Sequence, residues 1–269
     1  MRKIAELLGI AMVAAALAVA ANGETDGVWS YEVGEGGTAM LTAYAGDSAS
    51  VTIPASVGDD VAVVALGDGL FANHAELESV RLEAALESVG TGVFEGCGNL
   101  VSATVAGSVA TVGVPLFQNV ASLTNMTLEE GVQVVSNMTF SGTGITRVEM
   151  PDSLRGLYQG VFFNCPNLNE IVWGAGIEKL AVRIFASCPS LTEVVIPDSV
   201  TSLWGSEFSG CVGLTNIVFG EGLSNLSSGL FSGCTNVERV VVGGGVKTLG
   251  NSVFANWLKL KEVELHEGI

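Results

Sequence analysis

Apolar residues along this chain recur in blocks of about 23 residues instead of following one helical or strand period throughout. Phenylalanine marks the blocks most sharply. Nine of the eleven stand at Phe71, Phe94, Phe117, Phe140, Phe162, Phe185, Phe208, Phe231 and Phe254, each 23 residues after the one before except Phe162, which follows by 22. Six residues after most of them an aliphatic side chain opens an LxxVxI pattern, as in Leu77, Val80 and Leu82 or Leu191, Val194 and Ile196. The alternation at its end predicts a short strand with one buried face. A turn follows, written Pro-Asp-Ser at 151–153 and 197–199 or Gly-x-Gly at 174–176, 220–222 and 243–245. Proline presets φ and has no N–H for a ladder, and glycine accepts positive φ, so either residue ends the strand and turns the chain. A second apolar pair, such as Val200 and Leu203, then leads to the next phenylalanine.

A unit of this length cannot bury its apolar positions alone. Each coil must stack on its neighbours and place like residues over like, so the core is expected to be a set of ladders. Between Phe140 and Ile145 the step is one residue short, with Ser-Gly-Thr-Gly in the gap, which predicts a local kink or tightened turn. If Val194 and Ile196 point inward, their neighbours point outward and form two columns across the sheet. One column contains Val172, Val195, Val218 and Val241, and the other contains Arg147, Glu170, Glu193 and Arg239. Four stacked valines with a charged border form an exposed apolar stripe, the first candidate contact surface. Tyr158 and Trp204 stand in a slot that is Gly90, Gly113 and Gly250 elsewhere and are expected to protrude as secondary contacts.

Charge narrows the range of partners. With 11 Lys plus Arg against 28 Asp plus Glu, the net charge is −17, and no basic cluster exists to neutralise phosphates, so nucleic acid is not an expected partner. Residues 1–21 read as a secretory signal: Arg2 and Lys3 precede a largely apolar run from Leu7 to Ala21, and Ala18 and Ala20 supply small residues for cleavage. No later apolar run reaches 18 residues, so no membrane span is expected in the mature chain.

Catalytic and metal chemistry finds little support. The five cysteines, Cys97, Cys165, Cys188, Cys211 and Cys234, each lie three residues after a ladder phenylalanine. Parallel side chains in a ladder do not converge as a disulfide requires, so buried free thiols are expected. The two histidines, His74 and His266, lie at opposite ends of the array. No HExxH, GxSxG or P-loop occurs, and acidic turn residues such as Asp152, Asp198 and Glu221 read as a solvated rim. No enzyme activity, cofactor or metal is expected.

Taken whole, a unit such as IPDSVTSLWGSEFSGCVGLTNIVF resembles the BspA-like leucine-rich repeat, and the likeness covers residues 51–269. The fold this implies is a β-rich leucine-rich-repeat solenoid of about nine repeats. It would have one parallel strand per coil and short turns or single helical turns near each phenylalanine. Residues 22–50 resemble the family's usual opening, a β-hairpin cap, followed by a first repeat with an enlarged turn between Ile53 and Phe71. The resemblance further implies a secreted or cell-surface scaffold that binds an extracellular or host protein, or a glycan, through its sheet face. The alternative is a structural spacer displaying another domain, or a fragment of a larger surface protein. Because the chain stops at Ile269 just after a strand and turn, with no polar cap in view, its C terminus is expected to be incomplete.

Overall fold

The computed structural model describes residues 23–267; the signal segment expected at residues 1–21 lies outside them. The described chain is a parallel β-solenoid without helices. It opens with a three-stranded antiparallel meander, Glu24–Asp26, Trp29–Val33 and Ala39–Tyr44, whose last strand pairs in parallel with Val61–Leu66. The enlarged first turn forms a small antiparallel pair, Ser56–Val57 against the start of Val61–Leu66. Ten main-sheet strands then follow, from Ser50–Ile53 to Glu262–Leu265, one more than the number of ladder phenylalanines because a strand precedes Phe71.

The phenylalanines form the spine. Seven successive ring pairs from Phe71 to Phe231 stack with centroids 5.3 to 5.8 Å apart and planes within 14° of parallel. Phe254 departs from the stack. Trp257, which occupies the cysteine slot of its coil, stands edge-on to Phe231 at 5.9 Å, and the half-buried Phe254 tilts against it at 5.2 Å. Around each phenylalanine the backbone turns through the left-handed region at two recurring places. Two residues after it come Asn73, Gly96, Asn119, Gly142, Asn164, Ser187, Gly210, Gly233 and Asn256, all with positive φ. Two residues before it φ is positive in every coil except the third, where Pro115 stands. Glycine and asparagine tolerate this region best, which accounts for most of the residue types found there.

The main sheet is not continuous. It runs in three panels: Ser50–Ile53 through Asn125–Leu128, then Arg147–Glu149 with Glu170–Val172, then Glu193–Ile196 through Glu262–Leu265. Proline placement accounts for both seams. In other coils the residue after the strand closes the ladder onto the coil before it, as when Ala106 N–H donates to Leu82 O at 2.9 Å, Glu129 to Val105 at 3.0 Å and Gly220 to Ile196 at 2.9 Å. At the two seams this position is Pro151 or Pro197, and proline has no hydrogen to donate. The first seam also falls in the coil shortened by one residue. There Gly144 runs so close to the preceding coil that a Cβ would lie 2.4 Å from Ala121 O. At the second seam Trp173 fills an inward slot that is aliphatic in the neighbouring coils, and its ring packs edge-on against Phe185 at 5.9 Å. A second, narrower sheet of two-residue strands runs unbroken behind both seams from Thr111–Val112 to Ser202–Leu203.

Candidate functional site

The outward columns of the main sheet have the register read from the alternation. Within the third panel Val195 pairs with Val218 and Val218 with Val241, while Glu193 pairs with Asn216 and Asn216 with Arg239. In the middle panel Arg147 pairs with Glu170, and Glu149 with Val172.

Two corrections to the expected stripe follow from the coordinates. The four valines are not one stack, because the second seam separates Val172 from Val195. Nor are they equally exposed: Val195 is 46% exposed, Val172 and Val218 are half-buried, and Val241 is only 5% exposed. Arg239 explains the last. Its guanidinium reaches Glu262 at 3.2 Å and Glu264 at 2.8 Å, and Glu264 is the register partner of Val241, so the paired side chains lie alongside the valine.

Charges on this face are largely spent on one another. Arg147 contacts Glu149 at 2.6 Å and Glu170 at 3.2 Å, the Asn216 amide donates to Glu193, and Arg81 spans two coils to Glu129. The Glu129 carboxyl is held below its ordinary range by Arg81 and by the Gly107 N–H. The first seam opens a cleft of about 660 Å³ in the face. Asn125 and Thr127 line one side, Arg147 and Glu149 the other, and Val172 and Trp173 reach into it. The two strands bordering it share no backbone hydrogen bond, so their facing amides and carbonyls are left for water or a ligand.

Tyr158 and Trp204 lie elsewhere. They directly follow the second-sheet strands Gly156–Leu157 and Ser202–Leu203, and their rings meet edge to face at 6.5 Å across the slot of Ala181. Trp204 is 51% exposed and Tyr158 half-buried. The candidates read from the sequence therefore fall on two surfaces.

Every cysteine is buried and free. Each thiol donates to the carbonyl of the phenylalanine one coil back, at 2.9 Å from Cys97 to Phe71, 3.2 Å from Cys188 to Phe162 and 3.1 Å from Cys234 to Phe208. Burial pushes the Cys97 thiol up and that of Cys234 to about 12, so neither of these two sulfurs is poised as a nucleophile. Among the described residues no group of three or more His, Cys, Asp or Glu is placed to hold a metal ion.

Glu207 escaped the sequence reading. It is fully buried in the slot before Phe208, which is Leu70, Val93, Leu116, Val161, Ile184, Leu230 and Val253 in other coils. Its Oε1 accepts the backbone N–H groups of Trp204 and Gly205, while Oε2 has no partner. Burial raises its pKa against the pull of those amides. Thr139 is the other polar residue of this column and bonds backbone carbonyls through its hydroxyl, so Glu207 is the one acidic side chain there, a legible signal.

A sequence profile of the BspA-type leucine-rich repeat region matches residues 49–169 and 156–269. Among curated proteins no sequence relative matches the chain. Solved structures with the same fold include a leucine-rich repeat protein from Bacteroides ovatus, at 18% identity and a TM-score of 0.58, covering 91% of this chain and 77% of that one. A leucine-rich cell surface protein from Faecalibacterium prausnitzii matches at 20% identity and a TM-score of 0.38, over 91% and 95% of the two chains. A leucine-rich repeat protein from T. pallidum matches at 22% and 0.40, over 89% and 91%.

Proposed function

Because the chain belongs to the BspA-type leucine-rich repeat family, we propose that it is a secreted or cell-surface binding scaffold that holds an extracellular or host protein, or a glycan, against its main sheet. The observation that carries this reading is the join between the middle and third panels. There Val195 and Val218 carry apolar surface on from Val172, which lines the cleft of about 660 Å³ at the other seam. A rigid array of short strands suits recognition by many shallow contacts, with a cleft supplying one deeper anchor. No covalent chemistry is invoked. Among the described residues no helix is long and apolar enough to cross a membrane. The spacer alternative draws on one observation, the internal pairing of Arg147 and Arg239 on the same face.

The test is binding to a panel of immobilised extracellular-matrix proteins and glycans. Val195→Lys with Val218→Lys is expected to weaken capture at least tenfold without lowering Tm by more than a few degrees. Full retention of capture by the double variant would remove the sheet face from the reading.

A further inference from the structure

On the side of the solenoid away from the main sheet, coils four to six carry large side chains in slots that are small or polar in most other coils. The slot directly after each ladder phenylalanine holds Ala72, Glu95, Gln118, Ser141, Ala186, Ser209, Ser232 or Ala255, yet in the fifth coil it holds Phe163. The slot two residues before the phenylalanine is glycine or serine in most coils, yet it holds Met138 and Arg183 in the fourth and sixth. Val182 is 41% exposed in a column that elsewhere carries Asn137, Gly205, Ser228 and Asn251, or the buried Val114. Met138, Gln159, Gly160, Phe163, Val182 and Arg183 line a groove of about 340 Å³; Tyr158 directly precedes Gln159, and its ring meets that of Trp204 at 6.5 Å.

Three features set this groove apart from incidental surface. Its apolar residues cluster, whereas isolated exposed aliphatics need no explanation. Met138, Gln159 and Arg183 hold their side chains at φ of 58°, 49° and 60°, a region that disfavours residues with a Cβ, and glycine serves at the equivalent place in other coils. Backbone strain kept for the sake of a side chain is a pointer to function when it coincides with a groove. Finally, Arg183 is exposed and has no ion pair among the described residues, although the chain carries −17; Arg81, Arg147 and Arg239 have carboxylate partners, and Arg155, the other arginine without one, donates to the Asp152 carbonyl.

The geometry points to a second contact surface, independent of the main sheet. This groove seats an acidic segment of a partner protein, whose large apolar side chain packs against Phe163, Val182 and Met138 while a neighbouring carboxylate pairs with Arg183. Arginine suits this role, since its planar fork matches a carboxylate and remains charged throughout.

The test uses the full chain and two capped pentapeptides, each a central phenylalanine flanked by glutamates or by lysines, followed through Trp204 fluorescence. The glutamate peptide is expected to saturate and to bind at least tenfold more tightly than the lysine peptide, although the overall charge of the protein favours the lysine one. Arg183→Gly relieves the left-handed backbone, so its Tm should not fall, yet it should weaken the glutamate peptide at least tenfold. Arg183→Lys should retain part of the affinity. Tighter binding of the lysine peptide, no saturable binding of either, or indifference to Arg183→Gly would overturn the assignment. A concentration-dependent dimer abolished by Val182→Glu would also overturn it, in favour of a second copy of this chain. Val195→Lys with Val218→Lys should leave the peptide titration unchanged, so failure of the main-sheet reading and failure of this one are separable.

Discussion

Gly205 donates its backbone N–H to Glu207 Oε1 at 2.7 Å, and this bond helps hold a fully buried carboxyl in a column that is aliphatic in every other coil but that of Thr139. Trp204 donates to the same oxygen, whereas at the equivalent position Ala181 N–H bonds to the preceding coil at Leu157 O, 3.0 Å away. Replacing Glu207 with Leu, the residue at 230, removes an unpaired buried oxygen and frees Trp204 to join the ladder. The variant is expected to be more stable by about 1–2 kcal/mol, the scale on which an unsatisfied buried polar group costs. The pH dependence has a fixed sign. Burial raises the carboxyl's pKa in the folded chain, so the stability it contributes is complete below the ordinary glutamate value and is lost as pH rises through the folded value. Urea denaturation of both proteins at pH 4 and pH 8 checks this: the advantage of Glu207→Leu should be larger at pH 8.

Pro151 tests the seam. Glu83 and Glu129 fill its slot in other coils, so Pro151→Glu restores a donor of the right kind. The new ladder bond contributes about 1 kcal/mol, and losing proline's constraint on the unfolded chain costs about 0.4–1 kcal/mol, so overall stability should barely change. Hydrogen exchange is the sensitive measurement. The amides of Arg147 and Glu149 should become protected, and binding that depends on the cleft should fall.

The aromatic spine predicts a contrast between its middle and its end. Phe162 is fully buried between two stacked neighbours, so Phe162→Ala is expected to cost about 3–5 kcal/mol. Phe254 is half-buried and stands off the stack, so its alanine variant should cost less than half as much by chemical denaturation.

His266 and Glu221 form a surface pair at 2.8 Å across two coils. The Glu221 carboxylate raises the histidine's pKa, and the histidine lowers that of Glu221. The histidine's part in stability is therefore present below its ordinary value of about 6.5 and is lost as pH rises through the folded value. The glutamate's part is lost as pH falls through its own lowered value. NMR titration should show the His266 midpoint drop when Glu221 is changed to Gln.

Much of this was legible before any coordinates. Stacked phenylalanines, strand register and outward columns all follow from one period, because a residue's place in a 23-residue coil determines what lies above and below it. What escaped were events between columns. Periodicity places Arg239 and Val241 in separate columns and says nothing of a long side chain reaching sideways to Glu264. The role of proline was half legible: that Pro151 and Pro197 cannot donate was plain, but not that their slot supplies the bond closing each coil onto the one before. Tyr158 and Trp204 were read as independent protrusions, since their contact depends on Ala181 between them being small. Glu207 is partly hidden in the sequence because its column also admits a buried polar residue, Thr139, so a polar side chain there does not by itself mark a departure from the repeat.

The two prolines also bear on mechanics. At either seam the rod can flex toward or away from its front without breaking a main-sheet hydrogen bond, because none is present there to break. The stacked rings and the rear sheet run on unbroken and resist the same bend. Each seam therefore behaves as a one-sided joint, and a ligand lodged in the forward gap would act as a wedge that sets the curvature of the rod.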